Sequence, residues 1–255
     1  MKPGKEFLIF PLDVSTETAA RQWVALLHAH VGMFKIGLEL FVRCGPDLVR
    51  WIARHTACGI FLDLKFHDIP ATVERAMRGV RDLDVALATV HCGENRAMLE
   101  AAVTGSGGKV GVLAVTVLTS VAASDLKAAG YADEMAGDVS RLVLHKAAMA
   151  RSAGCAGVVC SGEEVALIKA RLGADLLAVT PGIRPQGGRR LPDDQKRVVT
   201  PAAAVAGGSD YLVIGRPIRE AADPVAAAER IAAAIEAGQG VGSEGDRASR
   251  QSPIA

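Results

Sequence analysis

The run D-L-K-F-H-D-I-P at 63–70 holds the densest chemistry in this chain. Asp63 and Lys65 are two residues apart in an apolar, strand-like run, so both side chains point to one face. Asp68 lies past the end of that run, and Pro70 sits near the start of the next helix. A lysine ammonium among carboxylates is a positioned acid that can deliver a proton to a carbanion. Together with Asp13 and Lys35 these residues could alternate in charge around one substrate. An aspartate facing a substrate carboxylate would also disfavour that carboxylate when bound, an effect secondary to stabilising the carbanion. The purely structural alternative is an ion-pair network that closes the top of a barrel.

A second cluster reads as a phosphate site. The segment T-P-G-I-R-P-Q-G-G-R-R-L-P-D-D-Q-K-R at 180–197 is long and rich in Gly, Arg and Gln, and a later strand-like run ends in Gly215-Arg216. Glycine permits close backbone approach, and arginine offers a two-pronged fork to a phosphate dianion. Alone, the segment would pass for a solvated basic loop; beside Gly215-Arg216 the phosphate reading is the better one. A loop of this length could close over a ligand.

The other polar residues carry less. His67 and His91 have no partner evident in sequence, so packing or hydrogen bonding suits them better than acid–base work. His28, His30, His55 and His145 fall on helical stretches without metal-ligand spacing. The five cysteines (Cys44, Cys58, Cys92, Cys155, Cys160) are scattered, with no C-x-x-C pair, as expected of reduced thiols in a cytoplasmic protein. No Walker-type or G-x-G-x-x-G loop is present. Lys plus Arg (29) nearly balance Asp plus Glu (28), which argues against a nucleic-acid or membrane-surface protein. No apolar run approaches the length of a membrane span, and the first residues make a poor signal peptide because their apolar stretch stops at Asp13.

These residues need elements to hold them. Strand-like runs occur at 7–13, 33–37, 59–65, 85–91, 110–116, 156–160, 176–180 and 211–215. Between the early runs lie amphipathic stretches at 16–30, 46–56, 72–83 and 94–103, with Ser15 or Thr16 as a helix cap and Pro46 in a first turn. Strands apolar on both faces, each followed by a helix, indicate a parallel sheet. Eight such units in 255 residues fit an α/β chain folded as a single-domain (β/α)8 TIM barrel, with an extra helix around 124–130. A doubly wound open sheet competes, but it usually has fewer strands and a Gly-rich first turn, whereas the first run here ends in D-V-S-T. In such a barrel chemistry gathers at the carboxyl ends of strands, here Asp13, Lys35, Asp63, Lys65, His91, Thr116–Thr119, Ser161, Thr180 and Gly215-Arg216. The barrel is expected to occupy 1–237; from 238 to 255 the periodicity is lost in Gly and Ser, as in a disordered tail.

The motifs as a set resemble the bacterial orotidine 5′-phosphate decarboxylases. The likeness runs to about residue 235 and rests on LDV, FKIGLELF, DLKFHDIP, VTVLTS, TPGIRP and IGRPI in chain order. D-x-K-x-x-D alone is shared with sugar-phosphate enzymes of the same superfamily; with Lys35 and TPGIRP the combination is far more specific. The resemblance implies decarboxylation of orotidine 5′-phosphate to UMP, with Lys65 as proton donor to C6 of the pyrimidine and Asp63 beside the scissile carboxylate. It implies that Lys35 holds the charge array and the ribose, that Asp13 binds ribose hydroxyls, and that Thr119, with Ser120, contacts the pyrimidine. It places Arg184, Gln195, Gly215 and Arg216 on the phosphate side. It further implies a homodimer in which Asp68 and Thr72 reach the neighbouring site, with Ile69 between them as a substrate contact, and no metal or organic cofactor. One departure is Ala71, where many relatives carry Asn; because Asn caps and Ala does not, the following helix is expected to start differently.

Two rivals frame this expectation. A metal-dependent sugar-phosphate decarboxylase or aldolase of the same superfamily would share Asp13, Asp63, Lys65 and Asp68 but carry an acidic metal ligand in place of Lys35, and a lysine there repels Mg²⁺. A non-catalytic nucleotide-binding barrel would be suggested by loss of a charged member, yet all are present. A fused second enzyme is not expected at this length.

Overall fold

The computed structural model of the chain describes residues 2–93, 95–185 and 198–249. Eight parallel strands close into a barrel in chain order. They are β1 (Leu8–Pro11), β2 (Met33–Gly37), β3 (Gly59–Phe66), β4 (Leu87–His91), β5 (Gly111–Val115), β6 (Gly157–Val159), β7 (Leu177–Thr180) and β8 (Tyr211–Val213). Closure is made by β1 against β8, with Leu8 opposite Leu212 and Ile9 opposite Val213.

The two-sided apolar character of the strands has a direct structural counterpart. Ile9, Phe61, Leu87, Leu113 and Val179 fill the barrel interior. The alternate residues, among them Phe10, Phe34, Ile36, Ile60, Leu62 and Val90, pack outward against the helices. Because successive strand residues face opposite sides, each strand supplies both layers, and a polar residue is tolerated only where the strand runs out at the mouth. Each fully buried Phe, Leu or Ile contributes roughly 1.5–3 kcal/mol of transfer free energy.

The helices are α1 (Glu17–Leu27), α2 (Leu38–His55), α3 (Pro70–Arg81), α4 (Arg96–Ser106), α5 (Ala123–Ala128), α6 (Asp133–Ala136), α7 (Val139–Ser152), α8 (Val165–Leu172), α9 (Pro201–Ala206), α10 (Arg216–Arg219) and α11 (Pro224–Ser249). Thr16 caps α1 by accepting from the Ala19 amide, and Asn95, Asp138 and Thr200 do the same for α4, α7 and α9. The helix expected to start at Pro46 is the second half of α2; Gly45, at φ 62°, breaks the helical path immediately before it. The extra helix around 124–130 is α5, followed by the short α6. At Ala71 the expected change of cap does not arise. α3 begins at Pro70 with Ile69 as its N-cap, so Ala71 stands inside the first turn, where alanine suits a helix.

α11 runs past residue 237, and Gly238 lies so close to the backbone of Ala202 in α9 that any larger side chain would collide there. Gln239 then donates to the carbonyl of Lys2, 2.8 Å away, tying the helix to the amino-terminal segment. A run of glycines in sequence conceals this packing, since glycine marks both loose chain and close helix contact. Among the described residues no helix is long and apolar enough to cross a membrane.

Candidate active site

Two strands and the turn after a third carry a continuous line of charge at the barrel mouth. Lys35 comes from β2, Asp63 and Lys65 from β3, and Asp13 from the turn after β1. The Lys35 ammonium stands 3.3 Å from Asp13 Oδ1 and 3.5 Å from Asp63 Oδ2; the Lys65 ammonium lies 2.9 Å from Asp63 Oδ1. Signs therefore alternate from Asp13 to Lys65. The members differ in access: the Lys35 and Asp63 side chains are 12% and 13% exposed, against 35% for Lys65 and 54% for Asp13. The inner pair is fixed within the protein, and the outer pair faces the solvent-filled mouth. A cavity of about 210 Å³ opens directly onto Asp13, Lys35, Gly37, Asp63 and Lys65. Gly37 keeps it open, since a Cβ there would sit 3.2 Å from the Lys35 ammonium.

Local backbone geometry brings Lys65 to this position, and simple strand alternation does not describe it. The β3–β4 register passes from Leu62 opposite Ala88 to Phe66 opposite Val90, so β3 spends four residues where β4 spends two. Lys65 sits in this bulge at φ 52°, in the left-handed region. A non-glycine residue held there costs on the order of 1–3 kcal/mol and persists only where its surroundings over-determine it. Here Thr89 of β4 does so, accepting from the Lys65 amide at 2.9 Å and donating to Asp63 Oδ1 at 3.0 Å. Burial alone would push the Asp63 carboxyl up; the charges of Lys35 and Lys65, with hydrogen bonds from Lys65 and Thr89, outweigh it and hold the group below the usual carboxylate range.

His91, at the end of β4, is drawn the other way. Burial, then the neighbouring His67, Lys65 and Lys146, disfavour its protonated form, with Asp63 opposing. The His67 and His91 rings are 5.8 Å apart, centre to centre.

The remaining expected residues surround this line. Asp68 and Ile69 follow β3 and Thr72 lies in the first turn of α3: Asp68 is exposed and accepts from the Ile69 amide at 2.6 Å, and Ile69 is 66% exposed. Asp68 makes no ion pair with Lys65 among the described residues. Asp68 and Ile69 line a separate hollow of about 290 Å³ with His67, Pro70, Asn95 and Met98. Thr119 is half-buried on the loop after β5. Across the mouth, the arm after β7 is pinned at its base. Ile183 pairs with Val199, the Arg184 amide donates to the Val199 carbonyl at 2.9 Å, and the Val199 amide returns to Gly182. The Arg184 guanidinium donates to the carbonyl of Ile183 at 2.8 Å. Gln195 lies outside the described residues. Gly215, two residues past β8, lies against Pro11 of β1, where a Cβ would stand only 2.7 Å from the proline ring, and Arg216 follows as the first residue of α10.

Sequence reasoning found the charged line but missed three residues that shape it, Thr89, Gly37 and His91 as a titrating neighbour. Thr89 carried one usable signal: a lone hydroxyl in the apolar run L-A-T-V beside a strand bearing two charges. Among the described residues no group of three or more His, Cys, Asp or Glu is placed to hold a metal ion.

The profile of the Orotidine 5′-phosphate decarboxylase / HUMPS family matches residues 6–231. The chain is 52% identical over 235 residues to the orotidine 5′-phosphate decarboxylase of Desulfosudis oleivorans, covering 91% of this chain and 94% of the relative. It is 47% identical over 235 residues to that of an Anaeromyxobacter species, covering 92% of this chain and all of the relative. Among solved structures, the orotidine 5′-phosphate decarboxylase of Lactobacillus acidophilus superposes with a TM-score of 0.78 at 33% identity, over 89% of this chain and 98% of that one.

Proposed function

This chain belongs to the orotidine 5′-phosphate decarboxylase family, and we propose that its reaction runs at the charged line of β2 and β3. The protein is a carboxy-lyase that converts orotidine 5′-phosphate to UMP and carbon dioxide in pyrimidine biosynthesis. The observation that carries the site assignment is the alternation Asp13–Lys35–Asp63–Lys65, each contact within 3.5 Å, at the edge of one cavity.

In this reading the substrate carboxylate lies against Asp63 and C6 of the pyrimidine faces Lys65. The bond from C6 to the carboxylate carbon breaks, carbon dioxide departs, and the electron pair stays on C6. The Lys65 ammonium stabilises that carbanion as it forms and then transfers its proton to C6, giving UMP; the neutral amine is reprotonated from solvent. Asp63 disfavours the bound carboxylate and, through its bond to the Lys65 ammonium, aims the proton. Lys35 secures Asp63 from the other side and reaches the ribose with Asp13, while Thr119 contacts the pyrimidine. Arg184, Gln195, Gly215 and Arg216 hold the phosphate, and this remote binding energy drives the carboxylate into the charged line.

The functional unit is a homodimer in which Asp68 and Thr72 complete the neighbour's site. Supporting this are the exposure of Asp68 and the exposed apolar side chains of Ile69 (66% exposed), Leu38 (60%) and Val42 (75%). Five free cysteines support a cytoplasmic location. The direct test is decarboxylation of orotidine 5′-phosphate by the purified protein in excess EDTA, followed by ultraviolet absorbance. Conversion to UMP is expected; activity that appears only on adding magnesium would overturn the reading of Lys35.

A further inference from the structure

We propose that Thr89 is a positioning residue for the decarboxylation, holding the Asp63 carboxylate and the backbone of Lys65 in one fixed relation. This rests on the reading of Asp63 and Lys65 given above. Thr89 is fully buried, and its single hydroxyl serves both partners at once. It gives its proton to Asp63 Oδ1 at 3.0 Å and accepts from the Lys65 amide at 2.9 Å. The Lys65 ammonium closes the triangle on the same carboxylate oxygen at 2.9 Å.

The bulge is what makes the hydroxyl necessary. Between the Leu62–Ala88 and Phe66–Val90 pairs the regular ladder is interrupted, so the Lys65 amide has no strand carbonyl opposite it in register. Lys65 adopts φ 52°, a conformation lysine does not choose unaided. A side-chain acceptor from β4 satisfies the amide there and anchors the one residue whose ammonium must meet C6. An aliphatic side chain would leave that amide and one carboxylate lone pair unsatisfied, and the bulge free to relax toward an ordinary strand. Lys65 would then point elsewhere. Thr89 does not line the charged cavity, so its loss should act on the chemical step and leave substrate affinity in place.

The test compares Thr89→Val, which keeps the shape and removes the hydroxyl, with Thr89→Ser, which keeps the hydroxyl. Three quantities are read for each: kcat for orotidine 5′-phosphate, the Kd for UMP, and the thermal unfolding midpoint. The valine protein is expected to lose about 10- to 100-fold in kcat, as small misplacements of reacting groups do, with the Kd for UMP within about threefold of wild type. The serine protein is expected to recover most of kcat even where its midpoint falls as far as that of the valine protein. Unchanged kcat in Thr89→Val overturns the proposal. So does a fall in kcat, UMP affinity and midpoint together that serine does not rescue, because that pattern describes a packing residue. Should the valine protein not fold, Thr89→Ala replaces it, since alanine removes the donor and acceptor without adding bulk; wild-type kcat there overturns the proposal equally. Failure of the wild-type protein to decarboxylate would instead strike the underlying site reading.

Discussion

The two sides of the barrel mouth are built on different principles. On the β2–β4 side, charge is planted in the sheet itself: Lys35, Asp63 and Lys65 issue from strands, are mutually paired, and are backed by the buried Thr89. On the β7–β8 side the candidate phosphate residues sit where strands have ended, with Arg184 on an arm pinned by Val199 and Arg216 at the start of a four-residue helix. A sheet fixes atoms to a fraction of an ångström, which a proton transfer demands. An arm with a fixed base suits a group that must only be gripped. The contrast teaches that geometry is invested where bonds break, and reach where the ligand is held.

The sharpest way to break this contrast is Lys65→Ala. If the strand side carries the chemistry, kcat should fall by at least about 10⁴-fold, since both a proton donor and the charge facing the carbanion vanish. UMP should still bind, and its Kd by calorimetry checks that. Near-normal turnover would dissolve the distinction between the two sides. Arg216→Ala should behave in the opposite way. Loss of one charge-assisted contact, worth roughly 1.5–3 kcal/mol, should raise KM about 10- to 100-fold and leave kcat at saturation much closer to wild type. A kcat loss as deep as that of Lys65→Ala would mean that the arginine is part of the reacting array.

The two sides also differed in how well they could be read. Strand alternation alone puts Asp63 and Lys65 on one face, and eight two-sided apolar runs favour a closed barrel over an open sheet, so the charged line and its rim were visible in the sequence. The bulge was not. It depends on the β3–β4 register, a pairing between residues more than 20 apart in the chain, and no local pattern announces that Lys65 leaves the β region. Thr89 was hidden for the same reason, because its importance comes from what the bulge leaves unpaired. The phosphate side was legible through composition, as Gly and Arg on a long connection. Gly215 shows the limit of that signal, since its lack of a side chain is required by Pro11 of β1, a contact made by barrel closure. At Gly238 the missing side chain serves the close packing of α11 on α9, a contact that a run of glycines does not announce in sequence.

The smallest expected effect sharpens the comparison through pH. The strand side already holds the Lys65 and Lys35 cations, and His91 stands beside them, facing His67, Lys65 and Lys146 with Asp63 opposing. Burial, followed by His67, Lys65 and Lys146, lowers its folded-state pKa from 6.5. The unfolded chain therefore binds a proton at this position at a higher pH than the folded chain does. Between the lowered value and 6.5, the unfolded state carries more protons, so stability rises with pH and is lost as pH falls through that window. Above 6.5 both states are neutral at His91 and the difference vanishes. Replacing His91 by Gln should flatten the fall in thermal midpoint from pH 7 toward pH 5, with little change above pH 7. Arg216→Ala should leave that slope as it is, because arginine does not titrate there. Equal slopes in the wild-type and His91→Gln proteins would mean that the charged wall accommodates a further cation freely. A wall that does so would not be the tightly balanced array that its distances describe.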